Sequence, residues 1–231
     1  MIYRRPYDGI VCHCKETSVR LFTFSFDDGH PEDGKAFDIM MKHGIRGTFY
    51  VTAYPYFPRS MDSFLKFNFY KDIHKELEVG SHGGTHEDLR TLDDIALYTC
   101  VSKEPYQDVL GEIQSFSAPW GYVDARIKKV IQEAGYISAR TTTIDKTCAF
   151  PVDLFDMCIT KSTGCVTPEK AIELRDMIDD FMMIEHGVFN YLTHIRGSDL
   201  NAFEDMCKFI KSTGIKTVTN AELMEETWKD T

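Results

Sequence analysis

The sequence predicts an α/β fold in which a parallel sheet closes into a (β/α) barrel of seven or eight units. Short β-rich runs alternate with helix-like segments, the runs are nearly continuous in apolar residues, and no glycine-rich phosphate turn follows any strand. An open nucleotide-binding sheet would need such a turn, so the barrel is favoured. The chain has 231 residues against the ~250 typical of a complete barrel, so one or two units should be short or irregular.

Eight strands are predicted from runs rich in β-branched and aromatic residues. In chain order they are Leu21–Phe26, Thr48–Thr52, Leu77–Ser81, Ile113–Ser117, Tyr136–Thr141, Phe155–Thr160, Val188–His194 and Lys216–Thr219. Their low polarity indicates burial on both faces of the sheet.

Three of the intervening helices have ends that the sequence marks. Asp33–His43 and Asp124–Ala134 each run up to a glycine, a residue that commonly terminates helices in the left-handed conformation. Glu169–Ile184 begins directly after a proline, which is favoured in the first helical turn. Each helix leads back to a strand, as expected for parallel strands joined by crossover helices.

Composition limits the possible partners of the protein. No repeat, low-complexity tract or linker divides the sequence, so one domain is expected over residues 1–231. Lys and Arg number 26 against 36 Asp and Glu, a formal net charge of −10. Nucleic acid is therefore not an expected partner, since phosphate backbones bind cationic patches. No apolar run approaches the ~18 residues of a membrane helix, so no membrane insertion is expected.

Two further features bear on the cellular compartment. The first eight residues contain two arginines without a following apolar run, which does not resemble a secretory signal. The seven cysteines are odd in number and contain no CxxC pair, which is typical of thiols in a reducing compartment. Both features favour a cytoplasmic protein.

Polar and titratable side chains follow four predicted strands at the points where the strands end. They are Asp27 and Asp28 after the first strand, His82 and His86 after the third, Pro119, Trp120, Gly121 and Tyr122 after the fourth, and His194 at the end of the seventh. Barrel active sites are built at the carboxyl ends of the strands, so these side chains should converge on one rim.

The spacing of two histidines indicates a metal site. His82 and His86 are four residues apart, which on a helical turn would place both imidazoles on the same side. One carboxylate would complete a set with open positions, as in catalytic zinc or non-haem iron(II) sites. Asp27 and Asp28 are adjacent and should point in opposite directions, which predicts different roles for them. Each motif alone also has a purely structural explanation, but their coincidence on one rim favours function.

Several segments in chain order resemble the motifs of the polysaccharide deacetylases, the carbohydrate esterase family that removes acetyl groups from N-acetylated sugars and includes chitooligosaccharide deacetylases. They are Thr23–His30, Ser81–His86, Phe116–Tyr122 and Leu192–His194, with Gly47–Val51 also typical of the family. The resemblance spans about residues 20–223. It implies a distorted TIM-like (β/α)7–8 barrel, in agreement with the alternation of strands and helices.

Carried over position by position, the resemblance implies that Asp28, His82 and His86 bind one divalent metal. Zn²⁺ is expected, with Co²⁺, Ni²⁺ or Fe²⁺ as alternatives. The resemblance also implies that a metal-activated water attacks the amide with Asp27 as general base, and that His194 protonates the departing amine.

The third motif implies a binding groove. Pro119, Trp120, Gly121 and Tyr122 would shape its wall and offer aromatic faces to a sugar ring. The aromatic-rich loop 53–69 could extend such a groove, but packing on the barrel is the expected use.

The chain departs from the family pattern in two places. An arginine that orients the base usually begins the third motif, and Ser117 stands there instead. Arg140, at the end of the fifth strand, is the candidate replacement, with a surface salt bridge as the alternative role. The aspartate that supports the terminal histidine has no clear counterpart, and Asp145, Asp153 and Asp156 are all open candidates.

The leading hypothesis is a metal-dependent hydrolase that deacetylates N-acetylglucosamine-type carbohydrates. The partner would be a carbohydrate or another small amide. Hydrolysis of a different linear or cyclic amide is the alternative within the enzyme class. A catalytically impaired carbohydrate-binding homologue and a structural metal site with four protein ligands are the alternatives outside it.

Overall fold

The computed structural model of the protein describes residues 3–4, 11–12, 19–54 and 69–227, so most of the predicted aromatic loop and part of the amino-terminal segment lie outside it. The strands are β1 (Tyr3–Arg4), β2 (Val11–Cys12), β3 (Arg20–Phe26), β4 (Gly47–Val51), β5 (Glu78–Ser81), β6 (Ser115–Ser117), β7 (Ser138–Ile144), β8 (Met157–Ile159), β9 (Lys161–Ser162), β10 (Gly187–Thr193) and β11 (Lys216–Thr217). The helices are α1 (Asp33–His43), α2 (Phe69–Glu76), α3 (Asp94–Val101), α4 (Glu104–Leu110), α5 (Ala125–Glu133), α6 (Pro168–Phe181), α7 (Leu200–Thr213) and α8 (Asn220–Thr227).

The main sheet is parallel and nearly closed. Its strand order is β8-β7-β6-β5-β4-β3-β10-β9, and β11 pairs with the amino-terminal half of β3. Thr160 alone separates β8 from β9, and the segment pairs first with β7 and then with β10. The backbone N–H of Thr160 donates to the Asn190 carbonyl at 2.7 Å, which adds to the contact with β10. The predicted distorted (β/α)7–8 barrel is thereby confirmed.

The predicted elements agree well with the observed ones. All eight predicted strands coincide with observed strands, and their ends differ by three residues or fewer. Helix α1 has the predicted bounds, and Gly44 ends it with a φ of 66°. Helix α6 includes Pro168 in its first turn, and the hydroxyl of Thr167 caps it by accepting from the Lys170 N–H.

The outer face of the barrel carries the main apolar core, which the helices cover. Phe22, Phe24 and Phe26 of β3 are fully or almost fully buried on this face. Phe24 and Phe26 meet Phe203 of α7 edge to face at centroid distances of 5.7 and 5.8 Å. Phe26 also stacks on Phe49 of β4 at 4.5 Å. Aromatic packing of this kind fixes the helices on the sheet.

The inner face is buried, as the sequence predicted, but it is largely polar rather than apolar. Its buried polar side chains include Thr23, Ser25, Thr48, Glu78, Ser115, Ser117, Arg140 and Asn190. Because successive strand side chains alternate between faces, the phenylalanines of β3 point out while the hydroxyls between them point in. Hydrogen bonds join most of these groups, as when Glu78 accepts from Thr48 and Ser115.

Helix α8 closes the amino-terminal end of the barrel. Leu223 and Met224 of α8 pack in a small apolar cluster with Leu21 and Val188, which are adjacent in the register of β3 and β10. The opposite end, where the strands finish, is therefore the accessible mouth. Within the described parts of the chain, no helix has the length and apolar character needed to span a bilayer.

Candidate active site

The carboxyl ends of the strands surround a cavity of about 840 Å³. Six of the predicted site residues line it, namely Asp27, Asp28, His82, His86, Trp120 and His194. The convergence expected from the strand ends is thus observed, although these residues are spread over more than 160 positions of the sequence.

Asp28, His82 and His86 form a compact group that could hold a metal ion. One potential ligand atom from each residue lies within 4.8 Å of the other two. The Asp28 Oδ1 atom is 3.4 Å from Nε2 of His82 and 3.2 Å from Nε2 of His86. Asp28 is half exposed while His82 is buried, so the group opens towards the cavity.

The backbone brings the two imidazoles together in a way the sequence did not predict. Residues 82–86 form an irregular loop rather than the expected helical turn. Gly83 and His86 both have positive φ angles, 75° and 59°, and the ring centroids of His82 and His86 are 4.9 Å apart. Asp28 also has a positive φ, 77°. Non-glycine residues adopt this conformation at a cost, and such residues cluster at functional sites.

Mutual attraction holds the group together electrostatically. Burial raises the pKa of Asp28, but hydrogen bonds from His82 and His86 outweigh burial and bring the pKa well below its usual value. Burial lowers the pKa of His82, but the carboxylates of Asp27 and Asp28 outweigh burial and raise it. Asp28 and His82 therefore each favour the charged form of the other. The Nδ1–H of His82 can donate to the Ser117 carbonyl at 2.8 Å, which directs Nε2 towards Asp28.

Asp27 lies beside this group and is held from behind by Arg140. The two carboxylate oxygens of Asp27 both accept from Nη2 of Arg140, one of them at 2.5 Å. The same nitrogen contacts the hydroxyl of Ser117. Arg140 is completely buried and Asp27 nearly so. Arg140 thus contacts the carboxylate of Asp27 from the interior of the barrel, and its alternative role as a surface salt-bridge partner is wrong.

His194 faces the other oxygen of Asp28. Its Nε2 atom is 3.6 Å from Oδ2 of Asp28, and its backbone N–H donates to the Gly164 carbonyl at 2.5 Å. Two of the three candidate supporting aspartates, Asp145 and Asp156, line a second cavity that shares no lining residue with the first. The third, Asp153, pairs with Lys128. The carboxylate that the structure brings to His194 is Asp28.

The four residues of the third motif have different environments. Trp120 lines the cavity and is half exposed, and its ring meets that of His86 edge to face at 5.3 Å. Pro119 and Gly121 are buried on either side of it. Tyr122 is half exposed, and the guanidinium of Arg90 lies 3.6 Å from its ring centroid. Of these four residues, Trp120 alone lines the described cavity.

Sequence reasoning did not assign several other residues of the cavity wall. Arg196 follows the terminal motif by two positions, and Cys165 lies in the loop after β9. His30 also lines the cavity, and its Nδ1 accepts from the backbone N–H of Glu32 at 3.2 Å. His30 is the last residue of the first motif and Arg196 lies two positions after the last motif, whereas Cys165 lies in no motif.

Comparisons with known proteins identify the family and the fold. The sequence profile of the family described as polysaccharide deacetylase matches residues 15–139, more than half of the chain. No curated protein matches in sequence. A solved chitin deacetylase from the fungal pathogen Colletotrichum lindemuthianum is similar in structure, with a TM-score of 0.64 and 18% identity, over 93% of this chain and 97% of that one.

Two further solved structures extend the comparison. The Xyl-CE4 domain of a multidomain xylanase from the hindgut metagenome of Trinervitermes trinervoides gives a TM-score of 0.62 at 16% identity, over 90% of this chain and 91% of that one. A CE4 family pseudoenzyme from Bacillus anthracis gives 0.60 at 19%, over 93% and 68%. At these identities the structural likeness shows the fold, and the profile match shows the ancestry: the chain belongs to the polysaccharide deacetylase family.

Proposed function

We propose that the protein is a metal-dependent hydrolase that removes acetyl groups from N-acetylated carbohydrates of the N-acetylglucosamine type. The observation that carries this proposal is the convergence of a possible metal-binding group with Asp27 and His194 in one cavity. Family membership supports it, as does the fold shared with a chitin deacetylase and a peptidoglycan N-acetylglucosamine deacetylase.

Asp28, His82 and His86 fit a single divalent ion. Two imidazole nitrogens and one carboxylate oxygen form the donor set of catalytic zinc and non-haem iron(II) sites, which keep positions open for water and substrate. The contact between His82 and the Ser117 carbonyl is the supporting hydrogen bond that such sites require. We propose Zn²⁺, with Co²⁺, Ni²⁺ or Fe²⁺ as alternatives. When bound, the ion would polarise the acetamide carbonyl and lower the pKa of water.

Asp27 and His194 would handle the protons of the reaction. As the water oxygen bonds to the acetyl carbon, Asp27 accepts the proton that the water loses. Arg140 and Ser117 fix the orientation of the Asp27 carboxylate for this transfer. When the amide C–N bond breaks, His194 donates a proton to the departing nitrogen, and the products are acetate and a free amine. The position of His194 beside Asp28 favours this role.

The third motif would form one wall of the substrate site. The indole of Trp120 offers an exposed aromatic face next to His86, and such faces pack on the apolar side of sugar rings. Trp120 has a φ of 62°, and Pro119 and Gly121 are the buried neighbours that shape its turn. A Cβ on Gly121 would lie 1.9 Å from the hydroxyl of Thr142, so no other residue fits there. We propose that Tyr122 extends the wall.

Elemental analysis of metal-reconstituted protein tests the proposed site. The wild type should bind about one Zn²⁺, Co²⁺ or Ni²⁺ per chain, and His82→Ala should lose the metal together with all turnover, because it removes one of three ligands. His43→Ala is the matched control, since His43 pairs with Glu204 away from the cavity. Full metal content in His82→Ala would show that the ligands are assigned wrongly.

A substrate screen tests the reaction. Chitooligosaccharides, monomeric N-acetyl sugars and cyclic ureides would be assayed for released acetate or amine. Acetate release from an acetylated sugar is expected. Turnover of a cyclic amide alone would favour the other hydrolase class, and metal binding with sugar affinity but no turnover would favour a carbohydrate-binding homologue.

A further inference from the structure

Arg140 depends on the interior of the barrel for its position. It starts on β7, and its register partner on the neighbouring strand β6 is Ser117. The small serine leaves room for the arginine to cross towards Asp27. Nη2 forms hydrogen bonds with Asp27 and Ser117, and Nη1 donates to the Thr141 carbonyl at 3.0 Å. Among the described residues, Nε has no hydrogen-bond partner although it is buried. Hydrogen bonds alone therefore leave part of this buried cation unsupported.

The remaining support comes from an aromatic ring below the guanidinium. Cζ of Arg140 is 5.3 Å from the ring centroid of Tyr50, within the ~6 Å range of cation–π contacts. Tyr50 is on β4 and completely buried inside the barrel. Such contacts are strongest when both groups are shielded from water, as they are here.

The position of Tyr50 is fixed by contacts to its hydroxyl and to its ring. Its hydroxyl accepts from Nδ2 of Asn220, the first residue of α8, at 2.6 Å. The backbone N–H of Asn220 in turn donates to the hydroxyl of Thr48 at 2.8 Å. The ring lies against Gly80 of β5 so closely that a Cβ there would be 2.6 Å from it. Helix α8 is thereby linked through Tyr50 to the arginine that contacts Asp27.

We propose that Tyr50 is a positioning residue for the reaction. Its ring fixes the guanidinium of Arg140 so that Arg140 can hold the Asp27 carboxylate towards the cavity. The inference rests on the proposed function, in which Asp27 is the general base. Tyr50 acts entirely through Arg140 and does not reach the substrate cavity.

Steady-state kinetics of four variants test this role. Tyr50→Leu removes the ring, and we expect kcat to fall about tenfold or more, with KM and metal content unchanged, because the base is misoriented without loss of binding groups. Tyr50→Phe keeps the ring face and should retain kcat within about threefold. In an Arg140→Ala background, Tyr50→Leu should cause no further loss of kcat, because the two residues act as one unit. An equal loss of kcat in both backgrounds would overturn the proposal.

Fluorinated phenylalanines at position 50 provide a variant series that keeps the shape of the ring. Successive fluorines weaken the negative ring face, so kcat should decrease stepwise from the Tyr50→Phe value. If kcat does not change across the series, the proposal is overturned, even if Tyr50→Leu fails to fold. Tyr136→Leu is the matched control, since Tyr136 is a buried tyrosine 4.7 Å from the ammonium of Lys103, outside the cavity. It should lower Tm and leave kcat unchanged.

A double-mutant cycle measured by thermal unfolding distinguishes failure of this inference from failure of the proposed function. If the wild type lacks deacetylase activity, the proposed function fails, and the Tyr50–Arg140 contact is then judged from thermal unfolding. Tyr50→Leu should lower Tm less in the Arg140→Ala background than in the wild type. Equal shifts in Tm would show that the two residues are uncoupled and would overturn the inference.

Discussion

The two faces of β3 show how one strand serves both stability and chemistry. The outward residues are Phe22, Phe24 and Phe26, and the inward residues are Thr23, Ser25 and, directly after the strand, Asp27. The outward side chains pack against helix α7 and neighbouring strands through aromatic contacts. The inward side chains enter a hydrogen-bonded network that ends at the cavity.

This difference shows that stability and reactivity have separate physical sources in the barrel. The hydrophobic effect that stabilises the outer face is non-directional, and such packing tolerates substitutions that conserve volume. The inner face is directional, since a buried polar group must keep its partners in place. Asp27 and Arg140 are the clearest case, because each would be costly to bury without the other. Substitutions on the outer face should therefore lower the free energy of unfolding, whereas substitutions on the inner face should also lower kcat.

The largest effect is expected on the inner face from Asp27→Asn. This variant should keep its metal yet lose ~10²–10⁴-fold in kcat, as removal of a general base typically does. It also leaves Arg140 buried without a negative partner, so the free energy of unfolding should fall as well. Initial rates and metal content of the folded protein measure the effect on catalysis, and urea unfolding measures the effect on stability. Unchanged turnover would remove Asp27 from the role of base.

Phe24→Ala tests the outer face. Phe24 is fully buried and meets both Tyr191 and Phe203 edge to face, so the free energy of unfolding should fall by about 3–5 kcal/mol. The kcat of the folded fraction should stay near the wild-type value, since Phe24 points away from the cavity. Urea unfolding and kcat together check this, with Phe24→Leu as a milder control. A large loss of kcat in folded Phe24→Ala would mean that the two faces are not independent.

Much of the fold was predictable because its signals are local. Strand runs, the glycine after α1 and the proline at the start of α6 all lie within a few residues of the feature they indicate. The polar interior was not predicted, although β3 alternates visibly in the sequence, because the inner face is defined only once distant strands close the barrel. Residues 157–162 pair first with β7 and then with β10, and this change of partner also depends on residues that are distant in the sequence.

The candidate site was predictable for a related reason. Asp28 and His194 lie within two residues of a strand end, and all carboxyl ends of a parallel sheet meet on one side. The loop conformation of His86 was missed, because a positive φ in a non-glycine residue is imposed by its surroundings. Tyr50 was missed too, since its role depends on a contact with Arg140, 90 positions later in the chain.

Asp33 is a buried carboxyl on the helix side of the sheet, in contrast to Asp27 in the barrel interior. It begins α1, and Oδ2 accepts from the hydroxyl of Tyr70 at 2.6 Å and from the backbone N–H of His30 at 3.0 Å. Burial raises its pKa from 3.8 to about 7. The folded state therefore binds a proton more tightly than the unfolded chain.

The expected result is a pH-dependent difference in stability between the wild type and Asp33→Asn. Stabilisation by the protonated carboxyl is complete below about pH 4 and is lost as the pH rises to about 7, so the wild type weakens over this interval relative to the neutral variant. The slope of the difference should approach ~1.4 kcal/mol per pH unit at most. Urea unfolding at several pH values between 4 and 8 measures it. Asp38→Asn, an exposed position on the same helix, is the matched control and should give a flat difference. A flat difference for Asp33→Asn as well would mean that the carboxyl is ionised in the folded protein, and that the helix side of the sheet accommodates buried charge as readily as the barrel interior does.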